Sequence, residues 1–219
     1  MRERERQARS GAETQRHRAA ASETARLEAF SDGVFAIAIT LLVLDIKVPR
    51  PADLGPGGLA AALLADWPAF LAFLTSFGTI LVMWINHHLL FLHIRRTSRR
   101  LLYLNGLLLL FVTFVPFPTG LLAEYVERPE ARVAAAFYAG TFFVTAVAFN
   151  LLWRHAARGR RLLDPDGDPA EAEAITRQYA VGPVLYGAAT GLAFVYVPAS
   201  VGLCLALALY FAFSGARRR

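Results

Sequence analysis

Six apolar stretches, each about as long as a bilayer's hydrocarbon core is thick, constrain this chain more than any motif in it. A core of about 30 Å needs about 20 apolar residues per helical span. The stretches run from Leu27 to Lys47, Trp67 to Ile94, Leu101 to Ala123, Arg132 to Trp153, Ile175 to Val195 and Val197 to Phe213. With 56% hydrophobic residues and a mean hydropathy of +0.41, the pattern predicts an all-α membrane protein with six transmembrane helices rather than soluble domains.

Orientation follows from the basic residues, because Lys and Arg resist translocation. With the N-terminus inside, one side collects Arg2, Arg4, Arg6, Arg9, Arg16, Arg18, "RRTSRR" at 95–100, "RHAARGRR" at 154–161 and the final "RRR". The other side keeps Lys47, Arg50, Arg128 and Arg132. Both termini are therefore expected in the cytoplasm, which six spans satisfy by parity. Residues 1–25 read as a disordered basic tail, 26–214 as the transmembrane domain and 215–219 as a short basic end. The net charge of +6 is assigned to topology and to anionic membrane lipids rather than to nucleic acid.

Enzyme signatures are missing. There is no phosphate-cradling glycine loop and no nucleophile elbow, and "NHHLLFLH" lacks the glutamate of a zinc-protease helix. The acidic "DPDGDPAEAE" has its glycine and glutamates at the wrong positions for a calcium loop. It fits a helix start instead, with Asp168 as N-cap, Pro169 at the first position and Glu171 at the third. Cys204 is alone in an apolar segment, so no disulfide or multi-cysteine metal site is expected. The chain is read as a non-enzyme without a resident cofactor.

Polar residues inside spans carry the functional information, since each costs a few kcal/mol at the bilayer centre unless it faces protein or water. Asp32 near the start of the first span, His88 near the end of the second and Asn105 near the start of the third all lie about 6–9 Å from the same membrane face. With Arg26, Ser31, Trp84 and His87 they are expected to form one buried polar layer, in which Arg26, a histidine or Asn105 satisfies the Asp32 carboxylate. At 100° per residue, Ile37, Leu41 and Leu44 form a single stripe that lies about 140° from Asp32. From the residues alone, that stripe either packs against protein or lipid or lines something.

The stretch "RLEAFSDGVFAIAITLLVLDI" closely resembles the Arg-x-x-x-Phe-Ser-Asp signature of the transmembrane protein 175 family, the lysosomal potassium channel family of animals and its prokaryotic relatives. Arg26, Phe30, Ser31 and Asp32 carry it, and "WINHHLLF" and "LNGLLLLFVTFVPFPTG" resemble the bacterial members. The resemblance implies a homotetramer in a prokaryotic plasma (inner) membrane, with helix one of each six-helix subunit lining a central pore. Potassium is then the permeating ion, and Ile37, Leu41 and Leu44 form a hydrophobic constriction. In such a tetramer Asp45 would ring the outer mouth with carboxylates and attract cations; its alternative is pairing with Lys47.

Aliphatic rings cannot replace a hydration shell as carbonyls do, so selectivity must come from pore width and partial dehydration, which favours potassium over sodium. His87 and His88 are expected to be hydrogen-bonded, with proton sensing as the alternative. Pro116 and Pro118 are expected to bend helix three, and Gly187 and Gly191 to permit close helix packing. A secondary transporter and a proton-conducting channel remain as alternative readings.

Overall fold

The computed structural model describes residues 23–216. The expected basic tail therefore lies outside the described residues except for residues 23–25, which are already helical. Helix α1 covers residues 23–41 and tightens into a 3-10 turn at Leu42–Asp45. There follow α2 (Gly58–Ala65), α3 (Trp67–His93), α4 (Arg99–Phe114), α5 (Pro116–Tyr125), α6 (Ala131–Ala157), α7 (Pro169–Ala193) and α8 (Val197–Ala216).

Among the described residues, four stretches are both long and apolar enough to cross a membrane: Glu23–Asp45, Trp67–His93, Arg99–Tyr125 and Ala131–Arg160. Val197–Ala212 is a shorter apolar helix. The 25-residue α7 carries Glu171, Glu173 and Arg177 in its first half, which dilutes its hydropathy.

Local chemistry sets the helix ends. Ser98 caps α4 by accepting from the Leu101 amide at 3.1 Å, and Asp168 caps α7 by accepting from the Ala170 amide at 2.8 Å, with Pro169 next in line. Glu171 does not close a capping box; its carboxylate lies 3.8 Å from His93 on α3. Pro116 has no amide hydrogen, so the third span divides into α4 and α5 at Val115. Val115 keeps helical angles (φ −54°, ψ −39°), and the span continues through the break as one stretch, Arg99–Tyr125. Thr119 donates back to the Val115 carbonyl at 2.8 Å, while Ser76 bonds Thr119 at 2.7 Å and Tyr138 at 3.1 Å. The junction is thereby tied to α3 and α6 through a buried hydroxyl cluster.

Helix α6 is the central pillar, packed on α4, α5, α7 and α8. Its Tyr138, Phe142, Leu152 and Trp153 are fully buried, and the Trp153 indole donates to Thr176 on α7 at 2.9 Å. The α3–α4 and α6–α7 loops zip together: the Arg95 amide donates to Leu162 at 2.8 Å, the Asp164 amide to His93 at 3.0 Å, and the Arg95 side chain to Asp164 at 2.9 Å. The expected glycine seam on α7 does not form as a pair. A Cβ on Gly187 would meet the Phe143 ring at 3.5 Å, but one on Gly191 would meet nothing within 4 Å.

Candidate functional site: the first helix and its polar anchor

Helical phase divides α1 into two faces. Ser31, Phe35, Ala38 and Leu42 are buried in the subunit core. The opposite stripe is uncovered: Phe30 is 64%, Ile37 59%, Leu41 41% and Leu44 74% exposed. All three residues of the expected constriction thus lie on the face that this subunit leaves open.

Behind that face, a directional chain of hydrogen bonds fixes the helix. The Ser31 hydroxyl donates to the Leu27 carbonyl at 2.8 Å, so its oxygen is free to accept from the Asn105 amide at 2.9 Å. The Asn105 oxygen then faces the ring of His87 at 2.9 Å and must accept from Nε2–H. The polarity of the chain therefore assigns the proton of neutral His87 to Nε2 and leaves Nδ1 bare. That nitrogen is buried without a hydrogen-bond partner, on a ring that stacks on Phe91 with centroids 4.4 Å apart and lies 5.4 Å from the Phe35 ring.

A second set of contacts forms a two-rung ladder between antiparallel α1 and α3. The Trp84 indole donates to Asp32 Oδ1 at 2.8 Å, and one turn away on both helices His88 Nδ1 lies 2.7 Å from Glu28. Both rungs use i, i+4 positions, which share a helix face. The expected partners of Asp32 were Arg26, a histidine or Asn105. Trp84 takes the place of all three, because Asn105 is committed to Ser31 and His87, and His88 to Glu28. Arg26 is exposed, and among the described residues no hydrogen bond or ion pair holds its side chain. Glu28 is the member that sequence reasoning missed; its i+4 relation to Asp32, matched by Trp84 and His88, is the signal that would have found it.

At the other end of α1, Lys47 pairs with Glu124 at 2.8 Å, not with Asp45, and Arg128 holds the second oxygen of the same carboxylate at 3.2 Å. Asp45 instead packs its carboxylate against Gly120, where a Cβ would come within 3.0 Å of Oδ1. Its Oδ2 has no hydrogen-bond partner.

The family model for the endosomal/lysosomal potassium channel TMEM175 matches residues 26–116. A protein of Chamaesiphon minutus, named a potassium channel, is 59% identical over 191 residues, covering 87% of this chain and 94% of its own length. The chain belongs to the TMEM175 family. A potassium channel of Streptomyces collinus is 48% identical over 194 residues, covering 88% of this chain and 93% of that one. The crystal structure of a lysosomal potassium-selective TMEM175 homologue from Chamaesiphon minutus superimposes with a TM-score of 0.81 at 57% identity, covering 88% of this chain and 98% of the other. The TMEM175 match begins at Arg26 and takes in Ser31, Asp32, Trp84, His87, His88 and Asn105, so the whole anchor lies inside it.

Proposed function

We propose that the chain is one subunit of a potassium-preferring cation channel of the prokaryotic plasma membrane. Six helices, α1, α3, the bent α4–α5 unit, α6, α7 and α8, span the bilayer with both termini in the cytoplasm. Four copies assemble so that α1 of each lines a central pore, and lipid covers the outer surface. The observation that carries the reading is the division of α1 into an anchored polar face and an uncovered aliphatic stripe, in a chain that is 59% identical to a protein named a potassium channel.

Ile37, Leu41 and Leu44 form the constriction. Aliphatic rings offer no oxygen to a passing ion, so the cation must shed part of its hydration shell, and potassium does so more easily than sodium. The ladder and the Ser31–Asn105–His87 chain hold α1 in the rotation that keeps this stripe toward the axis. Asp45 lies near the far end of α1, where four copies would concentrate cations at the outer mouth.

The test is the reversal potential of the purified protein in planar bilayers with potassium chloride opposed to sodium chloride. Displacement toward the potassium potential is expected, and Ile37→Asn, which wets the constriction, should shrink it. A selective current untouched by Ile37→Asn would place the filter elsewhere.

A further inference from the structure

A second concave site lies away from α1, at the end shared by the third and fourth spans. Ser98, His155, Arg158, Gly159, Arg161 and Leu162 line a cavity of about 450 Å³. Its geometry comes from the turn that follows α6: Gly159 and Arg160 take left-handed backbone angles in succession (φ 65° and 55°). The chain reverses there, leaving Arg158 and Arg161 on the cavity wall while Arg160 reaches away to the Gly167 carbonyl.

The charge of this site is uncompensated. Of the surrounding arginines, Arg95 pairs with Asp164 and Arg177 with Glu173, while Arg96, Arg99, Arg100 and Arg154 have no carboxylate partner among the described residues. Arg158 and Arg161 have no such partner among the described residues, and no lining residue is acidic. His155, bonded to Ser98 at 3.1 Å, has Arg100 and Arg158 as its charged neighbours. Depth limits what can neutralise these cations. The cavity takes in the last residues of the apolar stretch Ala131–Arg160 and the residue just before Arg99–Tyr125, so it sits where both leave the hydrocarbon. That is the level of lipid headgroups, and a guanidinium fork matches phosphate oxygens in pairs.

We propose that this cavity binds a phosphate group, supplied by an anionic lipid headgroup or by a free phosphate from solution, with Arg158 and Arg161 as the binding residues. Occupancy would bridge the start of α4 to the end of α6, across the Ser98–His155 contact.

The test uses the full chain in phosphatidylcholine nanodiscs, the same nanodiscs with phosphatidylglycerol added, and phosphatidylcholine nanodiscs with inorganic phosphate in the buffer. Thermal unfolding and native mass spectrometry of retained lipid are the readouts. Phosphatidylglycerol should raise Tm and be retained, and Arg158→Gln and Arg161→Gln should each weaken retention about fivefold, the factor expected for one basic residue at an anionic surface. Arg154→Gln, an exposed arginine outside the cavity, should leave retention unchanged. A Tm shift from inorganic phosphate alone, abolished by the same two variants, would support the site with a soluble occupant. Equal retention in the double variant, an equal loss with Arg154→Gln, or no stabilisation by either probe would overturn it.

Discussion

The Trp84 indole donates a 2.8 Å hydrogen bond to Asp32, so the signature carboxylate is satisfied by a neutral donor rather than by a charge. The bond holds α1 to α3 at this level. Trp84→Phe should cost about 1–3 kcal/mol by leaving an acceptor unpaired. Asp32→Asn, which keeps an acceptor oxygen, should cost less than Asp32→Ala. Unfolding midpoints in detergent check both; an equal cost of Trp84→Phe in the Asp32→Ala background would mean that the bond contributes nothing.

Asn105 serves two partners at once, donating to Ser31 and accepting from His87. Asn105→Leu should strand the buried Nε2–H of His87 and cost about 1–3 kcal/mol, while Ser31 keeps its bond to the Leu27 carbonyl. A double-mutant cycle of Ser31→Ala with Asn105→Ala should be clearly non-additive, as groups in one network are. Additive losses would show two independent contacts.

Gly120 leaves room for the Asp45 carboxylate. Gly120→Ala should destabilise the protein by about 1–3 kcal/mol through overpacking, and adding Asp45→Ala should recover most of that loss. Asp45→Asn in an intact channel should lower conductance at low ionic strength and have little effect at high salt, where the mouth charge is screened. Single-channel recording at two salt concentrations reads the difference.

The loop zipper has an acid limit. The Arg95 hydrogen bond, helped by the Asp166 amide, holds the Asp164 carboxyl below the ordinary carboxylate range. A depressed folded-state value means that this contribution is present above the unfolded value and lost as pH falls through the folded one. Stability should therefore decline in that acidic window, and Arg95→Gln should flatten the decline in thermal unfolding measured against pH.

The two faces of α1 were legible in the sequence because helical period alone separates Ile37, Leu41 and Leu44 from Asp32. The pairing behind them was only partly legible. Counting residues from a helix end gives depth but no direction, so Asp32 and His88 read as level neighbours although His88 turns to Glu28. A glutamate at the mouth of a helix reads as solvated charge, which hid its place in the ladder. Lys47 and Glu124 lie 77 positions apart, and nothing local favours that pair over the nearby Asp45. The break at Pro116 was readable from the missing amide hydrogen, but its fastening by Ser76, Thr119 and Tyr138 needs three helices in place.

Among the described residues, the side-chain hydrogen bonds that tie α1 itself to the rest of the subunit fall between Glu23 and Asp32; from Val34 to Leu42 apolar side chains hold it, and past its end the exposed Lys47–Glu124 pair is the next polar tie. Mechanically this is a beam clamped at one end, supported by shape along its middle and tethered by an exposed ion pair beyond its far end. Ile37 is about 7.5 Å and Leu44 about 18 Å along the axis from Asp32. A tilt about the clamp therefore displaces Leu44 more than twice as far as Ile37. In the proposed pore, widening by such a lever would begin at Leu44, with Ile37 the last to part.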